Sequence, residues 1–180
     1  MRIIAGEYKG RVVKFPKSKL VRPTTDRTKE SLFNYLNNKI NFDDINVCDI
    51  YAGSGSLGLE ALSRGAGEIH FVEKNFNVAK ILRENIASLG AENFCHVYKM
   101  EAVKFSRMSE HISYDLILAD PPFFHDDIHR VVENLMENNF LNEGGILIIE
   151  RSVQTESKDT AAFGIEASRK IGDSLIYEFG

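Results

Sequence analysis

Apolar runs alternate with amphipathic segments along most of the chain. The runs are short enough to predict buried strands, and they lie at Asn46–Tyr51, Glu68–Glu73, Tyr114–Ala119 and Gly145–Glu150, with a weaker one near Phe94–Tyr98. Apolar side chains at helical spacing predict helices through Leu57–Ser63, Asn75–Leu89 and Asp127–Asn139. Strands that are apolar throughout and alternate with helices are typical of an α/β fold with a doubly wound, mostly parallel sheet.

The two ends of the chain depart from this alternation. Gly164–Ile171 and Ser174–Phe179 flank Gly172-Asp173, a turn signal that predicts a C-terminal antiparallel hairpin. With this hairpin the sheet is expected to have seven strands. Residues 1–21 are predicted to form a basic N-terminal β-hairpin extension, and residues 22–180 the main domain.

Length and composition narrow the class of protein. A chain of 180 residues predicts one domain whose core needs no disulfide or metal. No apolar stretch approaches the roughly 20 residues that a membrane span requires. The apolar stretch at the start of the sequence is too short to predict a signal peptide. We therefore expect a soluble cytoplasmic monomer that has no membrane partner.

Charge is distributed unevenly along the chain. The net charge is −4, but residues 1–30, here called the basic head, carry +6 and the remaining 150 residues carry −10. A localised basic segment on an acidic body favours contact with nucleic-acid phosphates, although a solvated surface would show the same pattern. The candidate RNA-binding cations of the head are Lys9, Arg11, Lys14, Lys17 and Arg22.

A glycine-rich motif follows the first strand. Residues 53–58 read Gly-Ser-Gly-Ser-Leu-Gly, the G-x-G-x-x-G pattern that lets a backbone turn tightly against a nucleoside cofactor, and Glu73 ends the next strand where a carboxylate can accept ribose hydroxyls. The pattern alone fits both NAD and S-adenosylmethionine. Asp49, four residues before Gly53, favours S-adenosylmethionine, because an NAD site needs no charge there. The cofactor-binding candidates of this region are Asp49, Ala52, Gly53, Ser54, Gly55, Gly58, Glu73 and Lys74.

The sequence Asp120-Pro121-Pro122-Phe123 follows the strand at Tyr114–Ala119. Prolines end a strand and fix the direction of its last carbonyls, and this strand end is expected beside the glycine loop. The Asp120 carboxylate and the Pro121 carbonyl can accept the two N–H groups of an exocyclic amine, while Phe123 stacks on the base. This corner therefore predicts catalysis of methyl transfer to a nucleobase amine.

Several motifs together resemble the RsmD-type family of bacterial 16S rRNA guanine-N2 methyltransferases. They comprise the opening residues 1–11, the stretch 22–34, the cofactor loop 49–61, Phe71–Lys74, the Asp120–Phe123 corner and residues 169–174. The resemblance implies a Rossmann-like class I methyltransferase fold, S-adenosylmethionine as cofactor, and a guanine of 16S rRNA within an assembling small subunit as substrate.

The same resemblance implies further site residues. Thr24 and Arg27 are expected near the cofactor and the target nucleotide, and Glu101-Ala102 is expected near the adenine. The chain departs from the family at two places. Phe123 stands where the family has Tyr, and Glu101 stands where it has Asp.

Three other functions stay open at this point. An adenine-N6 methyltransferase acting on DNA or RNA would use the same corner, and an NAD-dependent oxidoreductase would use the same glycine loop. An RNA-binding assembly factor without activity would have a broken loop or corner, and neither motif is broken. The spacing of the five histidines does not predict a metal site.

Overall fold

A single sheet organises the computed structural model, which describes residues 1–16, 26–122 and 126–180. Its seven strands, among these residues, have the order β3-β2-β1-β4-β5-β7-β6. The strands are β1 (Asn46–Ile50), β2 (Glu68–Val72), β3 (Cys95–Tyr98), β4 (Tyr114–Ala119), β5 (Leu141–Ser152), β6 (Arg169–Ile171) and β7 (Ser174–Phe179). β1 to β5 are parallel, and β7 is antiparallel to both β5 and β6. The predicted fold is confirmed.

Helices cover both faces of the sheet. They are α1 (Asp26–Leu36), α2 (Ser56–Ser63), α3 (Phe76–Leu89), α4 (Ala102–Phe105), α5 (Asp127–Glu137) and α6 (Glu156–Phe163). Alternate strand residues face opposite sides. Val47, Leu118 and Ile148 pack in one core cluster with α1, α2 and α3, whereas Ile50 and Ala119 pack in the other with α4 and α5. The two-sided burial explains why the strands are apolar throughout. None of the described helices has the length and apolarity needed to cross a membrane.

Local chemistry sets the boundaries of these elements. The Asn75 side chain accepts hydrogen bonds from the backbone N–H groups of Asn77 (2.9 Å) and Val78 (3.2 Å), so Asn75 caps α3 and the helix begins at Phe76. Gly90, with φ of 69°, ends the same helix. Tyr51 has a left-handed φ of 63°, which ends β1 one residue before the predicted end.

The structure differs most from the sequence-based expectation at four elements, β5, α4, α6 and β6. β5 starts at Leu141, four residues early, and a register shift between Tyr114 and Leu116 of β4 accommodates the extra residues. The short helices α4 and α6 were not predicted, because α4 has only four residues and α6 buries only the polar Asp159, so neither shows an apolar face at helical spacing. The first hairpin strand, predicted over Gly164–Ile171, is only the three residues Arg169–Ile171, and Gly164 instead ends α6 with a left-handed φ of 69°.

Residues 1–16, here called the N-terminal segment, pack into the main core. Arg2 and Val12 form an isolated antiparallel bridge, and Ile3 N–H donates to the Arg11 carbonyl at 3.0 Å. Ile3 and Val13 are 1% and 2% exposed, and both belong to the cluster that contains α2. The segment is therefore a hairpin-like turn fixed on the domain.

The Glu60 carboxylate of α2 joins this segment to the domain. It is fully buried and accepts the backbone N–H groups of Ile4 (2.8 Å) and Ala5 (3.1 Å). It also pairs with the buried Lys29 ammonium of α1 at 3.2 Å and with Arg64 Nε at 2.9 Å. Burial lowers the pKa of Lys29, and the Glu60 carboxylate opposes that shift. A buried charge of either sign costs several kcal/mol unless it is compensated in this way.

We expect Glu60→Gln to lower the free energy of unfolding by about 3–5 kcal/mol, the usual cost of removing one partner of a buried ion pair. Urea denaturation measures the effect. Glu84→Gln is the matched control, because Glu84 pairs with Lys14 at 3.5 Å on the exposed surface. The control should lose less than about 1 kcal/mol. Equal stability of the two variants would contradict the role given to Glu60.

Candidate functional site

Three neighbouring strands end at the same edge of the sheet. Ile50 of β1 lies opposite Ala119 of β4, which in turn lies opposite Ile149 of β5. Asp120 and Glu150 directly follow these paired residues, so they are neighbours toward the carboxyl ends of adjacent strands. From β1 the chain continues to β2 and β3 on one side, whereas β4 and β5 lie on the other side of β1. The strand order therefore reverses next to β1. Doubly wound sheets bind ligands in the crevice at such a reversal, outside the carboxyl ends of the strands. We call it the carboxyl-edge crevice.

The glycine loop lines the crevice between β1 and α2. Gly53 and Gly55 have left-handed φ angles of 56° and 85°. A Cβ added to Gly53 would meet nothing closer than 3.9 Å, so its backbone borders open space. A Cβ on Gly58 would lie 2.4 Å from the Phe71 ring, which shows that this glycine allows α2 to pack closely on β2. Gly53 therefore leaves room beside the loop, and Gly58 allows close packing of α2 on β2.

Asp49 lies beneath this loop. Its side chain is 1% exposed and accepts the backbone N–H of Gly58 at 2.8 Å, so it fixes the first turn of α2 against β1. Burial raises the pKa of Asp49 to about 7, the Gly58 N–H opposes the shift, and the charges of Asp120 and Glu73 add to it. This carboxyl is poised to ionise when a cation approaches.

Glu73 directly follows Val72, the last residue of β2, and lies beside the loop, but backbone groups already occupy both of its oxygens. Oε2 accepts Gly53 N–H at 3.0 Å and Oε1 accepts Asn75 N–H at 2.7 Å. Each carboxylate oxygen can accept a second hydrogen bond, so the half-buried side chain can hold the loop and still receive a hydroxyl.

The corner after β4 is only partly described. Asp120 is half-buried, Pro121 is buried and Pro122 is exposed, while Phe123 lies outside the described residues. Beside Asp120, Glu150 is 6% exposed and receives the Ser174 hydroxyl on Oε1 at 2.6 Å. Its buried Oε2 has no hydrogen-bond partner within the part of the chain that is described. Burial, and secondly the Asp120 charge, raise the pKa of Glu150.

The other predicted cofactor residues differ in burial and in their contacts. Ala52 N–H donates to Val72 O at 3.0 Å, which holds the loop to β2, and the buried Ser54 hydroxyl has no partner among residues 1–16, 26–122 and 126–180. Ala102 is buried at the start of α4. The remaining three described residues, Lys74, Glu101 and Arg27, are exposed, and Thr24 lies outside the described part.

The cations of the basic head differ in their exposure and in their contacts. Lys9 is exposed, whereas the Arg11 guanidinium donates to the Ser88 carbonyl of α3. Lys14 Nζ lies 3.5 Å from Glu84, and both side chains are exposed. Tyr8 packs against the core, so its ring does not project freely from the turn at residues 8–11. Lys17 and Arg22 fall outside the described residues.

Two residues of the site were not predicted from the sequence. Asn85 of α3 is buried and donates to the carbonyls of Lys14 (3.0 Å) and Ser54 (2.9 Å), so it joins the N-terminal segment to the glycine loop. Nothing in its helical surroundings signals that role. Glu150 did have a signal, since it closes an apolar run much as Asp120 does, but its burial depends on the pairing of β5 with β7.

Comparison with known proteins adds to this geometry. A family model described as conserved hypothetical protein 95 matches residues 1–179. Ribosomal RNA small subunit methyltransferase D of Escherichia coli (strain K12) is 36% identical over 154 residues, which are 86% of this chain and 76% of that protein.

Solved structures are also similar to this chain. The Escherichia coli protein yhhF is 30% identical, with a TM-score of 0.80 over 99% of this chain and 96% of that chain. A ribosomal protein L11 methylase from Lactobacillus delbrueckii subsp. bulgaricus is 18% identical, with a TM-score of 0.67 over 87% and 80% of the two chains. The second similarity shows the fold alone, which is that of the class I methyltransferases.

The raised pKa of Asp49 predicts a pH-dependent contribution to stability. Between about pH 4 and pH 7 the folded protein keeps a proton on Asp49 that the unfolded chain has released. The stabilisation by this proton is therefore full below about pH 4 and is lost as the pH rises to about 7. We compare the free energy of unfolding of the ligand-free wild type with that of Asp49→Asn. Over this interval the difference should change, to the disadvantage of the wild type, by at most about 1.4 kcal/mol per pH unit.

Urea denaturation across this pH interval measures the difference. The amide introduced by Asp49→Asn keeps an oxygen for the Gly58 N–H, so only the ionisation is removed. The exposed Asp43→Asn is the control, and its stability should follow that of the wild type at every pH. Parallel curves for the wild type and Asp49→Asn would show that Asp49 titrates normally in the folded protein.

Proposed function

The chain belongs to the family of conserved hypothetical protein 95, and from this premise we propose that it is an S-adenosylmethionine-dependent methyltransferase that acts on the exocyclic N2 amine of a guanine in 16S rRNA. The resemblance to the RsmD-type family is confirmed by the relative named ribosomal RNA small subunit methyltransferase D. The single observation that carries the proposal is the placement of Asp120 and the glycine loop at one crevice between β1 and β4.

The residues of the carboxyl-edge crevice fit this cofactor. Gly53 leaves room for close approach of a ligand to the backbone, and the buried Ser54 hydroxyl needs a polar partner. Asp49 and Asp120 bring negative charge to one end of the crevice, which suits a ligand with an ammonium and a sulfonium group. Glu73 supplies acceptor capacity for ribose hydroxyls on the other side of the loop. A nicotinamide dinucleotide carries phosphates, which this row of carboxyls would repel.

The cofactor, when bound, supplies an electrophilic methyl group. The protein must then raise the nucleophilicity of an amine whose lone pair is delocalised into the purine ring. We infer that the Asp120 carboxylate and the Pro121 carbonyl accept the two N–H groups and hold the nitrogen in a near-tetrahedral geometry. Phe123 stacks on the base, and the Asp120 charge stabilises the positive charge that develops on the nitrogen.

The finer parts of the proposal concern the substrate. A guanine within an assembling small subunit is consistent with the name of the relative, and it would place the enzyme in the cytoplasm. The basic head is proposed to dock RNA, and the enzyme is proposed to act as a monomer. Because Lys29 is buried in its ion pair with Glu60, the head presents one cation fewer to RNA than its sequence suggests.

Methylation of small ribosomal subunits that lack the modification tests the proposed function. We expect N2-methylguanosine in the digested 16S rRNA, detected by mass spectrometry of nucleosides. Asp120→Ala should lower turnover at least about 100-fold, because loss of one preorganised charge acceptor typically costs this much. Calorimetry should show S-adenosylmethionine binding nearly unchanged in the variant. Asp43→Ala, on an exposed loop before β1, is the matched control.

Each possible result separates the open alternatives. N6-methyladenosine as the product would replace guanine by adenine as the target. Binding of NAD with no binding of S-adenosylmethionine would overturn the cofactor. Near-normal methylation by Asp120→Ala would remove this residue from the mechanism.

The docking role of the basic head is tested through salt dependence. We expect the combined variant Lys9→Ala, Lys14→Ala and Lys17→Ala to bind the subunit more weakly and to flatten the log–log salt slope by about 2 if all three cations meet single-stranded phosphates. Arg11 is left intact because it contacts Ser88. Filter binding over a range of salt concentrations measures the slope.

The control variant replaces three exposed lysines elsewhere, Lys80, Lys104 and Lys170. It has the same net charge as the head variant, so a general charge effect would weaken binding equally in both. Such equality would assign RNA docking to another surface.

A further inference from the structure

A second cluster of polar side chains lies outside the crevice, on the other end of the sheet. Glu68 is the first residue of β2, and His70 follows it by two positions, so the two side chains share one face of the strand. His96 of β3 lies directly opposite His70 in the parallel pairing. Strand pairing, and not sequence spacing, therefore brings two imidazoles and a carboxylate together.

The donor atoms of this cluster converge on one point. His70 Nε2 lies 2.9 Å from Glu68 Oε1, and His96 Nε2 lies 2.7 Å from the same oxygen. One ligand atom from each residue can be chosen so that all three lie within 4.8 Å of one another. The two imidazole rings approach edge to face, with their centroids 4.9 Å apart. This arrangement leaves both ring nitrogens directed toward a common position at the carboxylate.

We propose that Glu68, His70 and His96 form a binding site for a divalent transition-metal ion, with zinc as the best match. Two imidazole nitrogens and one carboxylate oxygen, with water at the fourth position, make up a ligand set that zinc accepts in tetrahedral geometry. No residue of this site belongs to the proposed catalytic machinery. The proposal therefore stands or falls independently of the methyltransferase activity.

The separations of the donor atoms are close to those of zinc ligands. Tetrahedral ligands at zinc distances of roughly 2.0–2.1 Å are about 3.3 Å apart, so the present atoms need to move by about an ångström or less. The His96 and Glu68 side chains are 53% and 40% exposed, which gives the ion an entry path and lets water complete its coordination. His70 is 7% exposed and forms the rigid inner wall of the site.

A second contact fixes the orientation of His70. Its Nδ1 lies 2.8 Å from the Tyr114 hydroxyl of β4, and Tyr114 is itself buried. Histidines that bind metals nearly always use their other ring nitrogen in such a hydrogen bond, because it fixes both the ring plane and the tautomer. The His70 tautomer that carries its hydrogen on Nδ1 can donate it to the Tyr114 hydroxyl, and this tautomer leaves the Nε2 lone pair available to the metal.

The site would link the edge strand β3 to its neighbour. β3 has four residues and pairs with β2 alone among the described strands. A metal held by His96 on β3 and by two residues on β2 would add a cross-link to this edge. Bound metal is therefore expected to stabilise the folded protein by mass action.

Cobalt(II) is a suitable probe, since it follows the same ligands as zinc and absorbs visible light in a tetrahedral site. We expect tag-free wild-type protein to bind one equivalent of cobalt with a tetrahedral ligand-field spectrum, and we expect zinc to displace it. His96→Ala and Glu68→Gln should each weaken binding by more than about 100-fold, because loss of an outer-shell partner alone often costs about 10–100-fold. Zinc should raise the melting temperature of the wild type but not of His96→Ala.

Matched controls separate the site from adventitious surface binding. His111→Ala removes a histidine outside the cluster, and Glu92→Gln removes an exposed carboxylate just before β3. Both controls should bind cobalt as the wild type does. The proposal is overturned if the wild type gives only an octahedral spectrum, or if His96→Ala and Glu68→Gln bind cobalt as tightly as their controls. Circular dichroism confirms that each variant is folded.

Discussion

The buried carboxylate of Glu60 is the contact on which the geometry of the site depends. It compensates one fully buried ammonium, Lys29, and two backbone N–H groups of the N-terminal segment. Lys29 in turn donates to the Ser56 hydroxyl at 3.2 Å, at the first residue of α2. Because the glycine loop leads into α2, this chain of contacts fixes the loop from the side opposite the sheet. The N-terminal segment and the glycine loop are therefore held together by one set of buried contacts.

Like charges are concentrated at the carboxyl-edge crevice. Asp49 and Glu150 are buried and have raised pKa values, and Asp120 contributes to both shifts. Burial makes the ionised form of both carboxyls costly, so their protonated form is favoured when no cation is near. A cationic ligand favours the ionised form, so its binding is expected to release protons and to strengthen as pH rises. Binding of an uncharged analogue would lack this pH dependence.

The sequence was sufficient for the fold because buried parallel strands and amphipathic helices leave clear periodic patterns. It was less informative where a role depends on distant residues. Glu73 was expected to bind ribose, yet its first task is to hold the Gly53 and Asn75 backbone. Asn85 and Glu60 form hydrogen bonds with residues more than fifty positions away, and no local sequence pattern indicates these contacts. The group of Glu68, His70 and His96 depends on the register of two strands, which spacing along the chain does not reveal.

The arrangement of the last two strands also bears on aggregation. Residues Leu147–Ser152 of β5 pair with β7, and without that pairing they would offer a six-residue edge, apolar in its first half, to other chains. The true edges of the sheet are β3 and β6, which have only four and three residues. β6 also carries the exposed cations Arg169 and Lys170. Short, charged edges resist intermolecular strand pairing, so the hairpin that holds Glu150 in place also keeps neighbouring molecules from extending the sheet.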